Sequence, residues 1–97
     1  MLPVVFGPGA RAEMLEASHW YATHAEVLAR RFVGEVDAVV TRIADNPLQF
    51  PLVLKDVRRA KLRRFPYALF FRVVDETVFV IACFHARRDP QRWHGRV

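Results

Sequence analysis

The spacing of apolar and polar positions changes along the chain, and each change marks an element. Leu2 to Phe6 is a short, β-prone apolar run closed by Gly7-Pro8-Gly9, so it reads as a strand ending in a turn. From Ala10 the spacing becomes helical. Ala10, Met14, Ala17 and Tyr21 share one stripe, Leu15 and Trp20 widen it, and Glu13 and Glu16 lie on the polar side. A break near Thr23-His24 precedes a second helix over residues 25–45. There Leu28, Phe32, Val36, Val39 and Ile43 step by four or three along one face, with Arg30, Arg31, Glu35, Asp37 and Arg42 filling much of the remainder. Gly34 is tolerated inside this helix at a cost of about 1 kcal/mol. Asn46-Pro47 ends it, because a residue before proline is pushed out of the α region. The two helices form an αα-hairpin.

Residues 48–56 read as a connection interrupted by Pro51. Beyond it the period falls to two. Residues 57–65 alternate as a strand, Pro66 breaks the run, residues 67–74 form a second strand, Asp75-Glu76 a tight turn, and residues 77–85 a third strand. The tail, 86–97, is polar and basic, with Trp93 as its one large apolar anchor. The order β-α-α-β-β-β is of the α+β class: an N-terminal helical hairpin packed on one face of a small antiparallel sheet. The first strand is expected to join that sheet, since alone it would leave its backbone groups unsatisfied. A chain of 97 residues makes a single domain over 1–97.

Composition narrows the class. The hydrophobic share is 53% and the charged share 26%, which is globular. No apolar stretch approaches the roughly 20 residues of a membrane span, and the first residues lack a secretory signal pattern, so no membrane role and a cytoplasmic location are expected. The one cysteine, Cys83, allows no internal disulfide. Charge is unevenly spread within a net +5. Residues 1–54 hold four Arg against six acids, a balance of −2; residues 55–97 hold eleven Lys and Arg against four acids, a balance of +7. Such asymmetry suggests a basic face that meets a polyanion or an acidic protein segment.

The candidate chemistry lies in that second half. Pleating places Arg59, Lys61 and Arg63 on one face as a cationic column, flanked in sequence by Arg58 and Arg64. The column is either a binding surface or a charged edge that resists aggregation. Arg72 interrupts the apolar run Tyr67 to Phe71, where a structural ion pair is expected. His85, followed by Arg87 and Arg88, could act as a general acid or base on a phosphodiester, or fasten the tail by a hydrogen bond. His19, His24 and His94 show no metal-ligand spacing with one another or with Cys83, so no metal and no cofactor are expected.

The segment Val57 to Tyr67, with its Phe65-Pro66-Tyr67, resembles the RelE/ParE toxin superfamily, and its ParE (plasmid stabilization protein) branch in particular. So do Phe32 to Val36, Ile43 to Pro47, Phe70-Phe71-Arg72-Val73 and His85 to Trp93. The resemblance implies the toxin of a type II toxin–antitoxin pair, with a cognate antitoxin as partner. RelE-like members cleave messenger RNA on the ribosome, whereas ParE-like members are associated with inhibition of DNA gyrase. Nuclease members tend to carry Arg where Ala68 stands and a catalytic Tyr or Arg where Ala86 stands, and this chain has neither. Acid–base help alone is worth about 10²–10⁴ in rate, so their absence favours a gyrase binder without catalysis. Two alternatives stay open. One is a ribosome-dependent endonuclease using His85, Arg59, Lys61 and Arg63; the other is a binding module that no longer poisons. The target-binding surface is expected at Arg58, Arg59, Lys61, Arg63, Arg72, Arg87 and Arg88, with direct nucleic-acid binding left open. The antitoxin is expected in a groove between the two helices near Leu15 and Trp20, and on the sheet around Phe70.

Overall fold

The computed structural model describes residues 1–85 and 91–97. Strand β1 (Val4–Phe6) turns through Gly7 into helix α1 (Pro8–His24), whose first residue is a proline that lacks the amide the helix could not have used. Ala25 adopts an extended backbone and separates α1 from α2 (Glu26–Asp45), so one residue makes the hairpin corner. Phe32, Val36, Val39 and Ile43 are buried, as the spacing demanded. The helix stops at Asn46, whose side chain accepts from the Leu48 amide and starts a single 3₁₀ turn, Pro47–Gln49.

The remaining strands are β2 (Leu52–Leu54), β3 (Val57–Lys61), β4 (Tyr67–Val74) and β5 (Thr77–His85). A short helix, α3 (Gln91–His94), lies in the tail. The sheet order is β1-β5-β4-β3-β2. Strand β1 joins it as expected but runs parallel to β5, so the sheet is mixed rather than purely antiparallel. Strand β2 is an addition, paired antiparallel to β3 through an irregular register within the segment read as a connection. Strand β3 ends at Lys61 rather than at residue 65. Beyond it the Arg63 and Arg64 amides leave the sheet and donate to Glu35 Oε1 on α2, at 2.9 and 3.0 Å.

The sheet buries both faces. Toward the helices, Ala60, Leu62, Leu69, Phe71, Val78, Val80 and Cys83 meet Ala10, Ala17, Phe32, Val36, Val39 and Ile43. On the opposite face, Val57, Ala68, Phe70, Ala82 and Phe84 lie beneath Trp93. A bulge at Ile81 reconciles the two sets. Phe70 opposes Ala82 and Phe71 opposes Val80, so β5 carries one extra residue and its alternation reverses there.

Candidate functional site

Pleating decides which charged groups can act together. Arg59 stands opposite Phe70 and Lys61 opposite Ala68, and both of those neighbours belong to the face away from the helices. Arg59 and Lys61 therefore share that back face, with Lys61 exposed. Arg59 is half-buried, and among the described residues its Nε has no hydrogen-bond partner. Arg63 does not extend this column, because the chain has already left the strand and bends toward α2. The expected three-residue column is thus a pair.

The other candidates scatter. Arg58 lies toward the connection, where its Nη1 donates to the Phe50 carbonyl at 2.7 Å. Arg72 makes the structural ion pair foreseen for it. Its Nε and Nη2 donate to the Asp56 carboxylate at 2.9–3.1 Å, clamping the β2–β3 turn to β4. Bidentate geometry of this kind is among the stronger forms of the contact. Arg87 and Arg88 lie outside the described residues.

His85 is on the opposite side of the sheet from Arg59 and Lys61. It pairs across β4 with Tyr67, their rings 5.4 Å apart, and Tyr67 packs into the helix-side core. Together they floor a groove of about 480 Å³ between α1 and the ends of β4 and β5. Trp20 and Glu16 stand on its α1 side. This groove replaces the one expected between the two helices. Trp20, 55% exposed, does border it, but Leu15, 57% exposed, is not among its lining residues. The expected sheet surface at Phe70 is not available either. Phe70 is 8% exposed because Trp93 stacks on it at 4.5 Å, itself 2% exposed.

Glu13 and Arg96 seal the neighbouring edge of β5. Strand β1 covers that edge only at Val78 to Val80. Past the bulge, Glu13 Oε1 accepts from the Cys83 amide at 3.1 Å, and Arg96 Nη1 donates to the Ile81 carbonyl at 2.9 Å. The two side chains also pair with each other at 2.9 and 3.0 Å. That hydrogen bond raises the pKa of Arg96. Burial, followed by the negative charge of Glu13, pushes the Cys83 thiol up to about 12. Glu13 was legible in sequence only as a polar-face residue, and nothing in the sequence linked it to Arg96.

A second groove, also about 480 Å³, lies between α2 and the β3–β4 loop. Leu28, Ala38 and Phe65 give it apolar walls, and Arg31, Arg63 and Arg64 rim it. Among the described residues, no cluster of His, Cys, Asp and Glu could hold a metal ion, and no helix is long and apolar enough to cross a membrane.

The scaffold is therefore a small α+β domain that presents basic and apolar surfaces, with its one strand-end histidine set apart from the cations of the sheet. Residues 4–90 match the family model described as the ParE toxin of the type II toxin–antitoxin system parDE. Toxin ParE2 of Mycobacterium tuberculosis, in strains CDC 1551 / Oshkosh and H37Rv, is 32% identical over 83 residues, covering 84% of this chain and 79% of the relative. The fold is shared with a structure of the chromosomal ParDE toxin–antitoxin system from P. aeruginosa. Its TM-score is 0.77 at 19% identity, covering 88% of this chain and 96% of that one. The chain belongs to the ParE toxin family of type II toxin–antitoxin systems.

Proposed function

We propose that this ParE-family toxin acts by binding DNA gyrase rather than by cutting RNA, and that a cognate antitoxin neutralises it. The observation that carries the reading is the separation of His85 from Arg59 and Lys61 across the sheet. General acid–base cleavage of a phosphodiester needs the proton-transfer group and the phosphate-binding cations within reach of one bond. Here a phosphate held by Arg59 and Lys61 lies behind a sheet from the imidazole. Ala68, at the position where nuclease members tend to carry Arg, is fully buried beside Phe70 and Ala82, so the back face has no place for that group without loss of packing. Membership of the ParE family supports gyrase as the target. The same membership supports an antitoxin partner, as does the shared fold with the P. aeruginosa structure, which is of a ParDE toxin–antitoxin system.

The test is direct. Purified protein should inhibit supercoiling by gyrase and leave ribosome-bound messenger RNA uncut in primer extension. Growth arrest on induction should survive His85→Ala and weaken when Arg59 and Lys61 are both replaced by alanine. Codon-positioned cleavage at substoichiometric protein, lost on His85→Ala in a folded variant, would overturn the reading.

A further inference from the structure

We propose that the groove between α1 and the ends of β4 and β5 binds a small organic cation, a free aliphatic amine carried as its alkylammonium ion. The proposal rests neither on gyrase as the target nor on where the antitoxin docks.

Charge selects the ligand. The two grooves have the same volume, about 480 Å³, which falls in the size range of small-molecule sites, but they differ in sign. The groove beside α2 is rimmed by arginines. Among the described residues, the groove beside α1 is lined by Glu13 and Glu16 and by no lysine or arginine. On a chain of net charge +5 this is a local reversal. Arg96 already takes both carboxylate oxygens of Glu13, at 2.9 and 3.0 Å. Glu16 is exposed, and among the described residues no cation meets it. The α1 rim therefore carries one uncompensated carboxylate.

Aromatic rings give a second, independent reason. Trp20 stands four residues beyond Glu16, one helical turn along α1, so indole and carboxylate are neighbours on the helix surface. Trp20 is 55% exposed yet held in place. Its ring lies 4.3 Å from that of His24 on one side and meets the Tyr21 ring edge-on at 5.1 Å. Tyr67 completes the lining, its ring 6.2 Å from that of Tyr21. Indole and phenol faces attract cations through their quadrupoles, and several rings beside a carboxylate suit an organic ammonium group. An anion would be repelled by Glu16. Among the described residues no cluster of carboxylate, imidazole and thiol groups could hold a metal ion. An alkylammonium can donate N–H to Glu16 while its chain lies along Trp20 and Tyr67.

The probe is n-butylammonium chloride, with 1-butanol as a neutral isostere of nearly equal size. Each is titrated into the ¹⁵N-labelled full chain at fixed ionic strength and followed by the Trp20 indole N–H and the Ala17 and His85 amides. Butylammonium should shift these signals with a Kd on the order of 1 mM, and 1-butanol should bind roughly tenfold more weakly. Glu16→Gln should weaken butylammonium about fivefold and Trp20→Ala roughly tenfold, whereas Trp20→Phe should retain most of the affinity. Both positions are exposed, so the variants should keep Tm within about 4 °C of the parent. Nα-acetyl-lysine methylamide carries the same head group on a peptide backbone and should bind no more tightly than butylammonium. Tighter binding of that analogue would overturn the proposal, by assigning the groove to a lysine of a partner chain. Absence of shifts up to about 20 mM butylammonium, equal affinity for 1-butanol, or indifference to Glu16→Gln would overturn it as well.

Discussion

Cys83 sits near the end of β5, 2% exposed in the helix-side core, with its amide held by Glu13. Its thiol titrates near 12, against an ordinary value of 9.0. The folded chain thus keeps a proton that the unfolded chain loses, so this group leaves stability unchanged below about pH 9 and erodes it as pH rises from there toward 12. Urea unfolding of the native protein should weaken more steeply across that window than that of Cys83→Ala. Iodoacetamide at pH 8 should label the thiol only after unfolding, and rapid labelling of native protein would contradict this account. Arg72 was legible in the sequence for a related reason: a cation inside an apolar run needs a counter-charge, and Asp56 supplies it. Phe70 was not legible as buried, because its cover, Trp93, arrives from the distant tail. The Glu13–Arg96 pair, 83 residues apart, leaves no local pattern to read.

At the level of elements, both helices and the last two strands followed from periodicity, since packing against one core rewards a strict repeat. The departures come where side chains compete for the backbone. Glu35 takes the two amides that would have prolonged β3. The Ile81 bulge shifts the phase of β5, so Val80 faces the helices while Ala82 faces away. Strand β2 is three residues long, too short to show a period beside Pro51. That Arg63 leaves the column is a direct consequence of the first departure, and it divides the candidate surface in two. The β4–β5 turn offers a measurable element. Asp75 and Glu76 have φ of 50° and 59°, a two-residue connection with both residues left-handed. Such turns favour Asp-Gly or Asn-Gly, because a non-glycine side chain crowds the backbone there. Glu76→Gly should therefore stabilise the fold by about 0.5–1 kcal/mol, the relief of strain exceeding the added freedom of the unfolded chain. Urea titration measures it, and a lower midpoint with unchanged m-value would mean that Glu76 is not strained.

Over the whole molecule, the imbalance between a −2 half and a +7 half becomes an arrangement in space. Arg72 and Arg96 are held by Asp56 and Glu13, so they add little to the outward field. Among the described residues, Lys61 and Arg59 bring charge to the back face, while Arg63 and Arg64 carry charge to the α2 side. An acidic antitoxin approaching from either side would meet cations before it met apolar surface. Exposed ion pairs contribute only about 0–1 kcal/mol each, so such charges act mainly on encounter, and apolar surface is expected to carry most of the lasting affinity, with exposed Trp20 as the candidate to test. Stopped-flow mixing with the cognate antitoxin separates the two effects. Raising salt from about 50 to 500 mM should slow association roughly tenfold or more while changing dissociation far less. Replacing Arg59, Lys61 and Arg63 by glutamine should flatten that salt dependence, whereas Trp20→Ala should chiefly hasten dissociation. An association rate indifferent to salt, together with full affinity after the triple replacement, would leave the basic surface with no part in antitoxin capture and reserve it for the target.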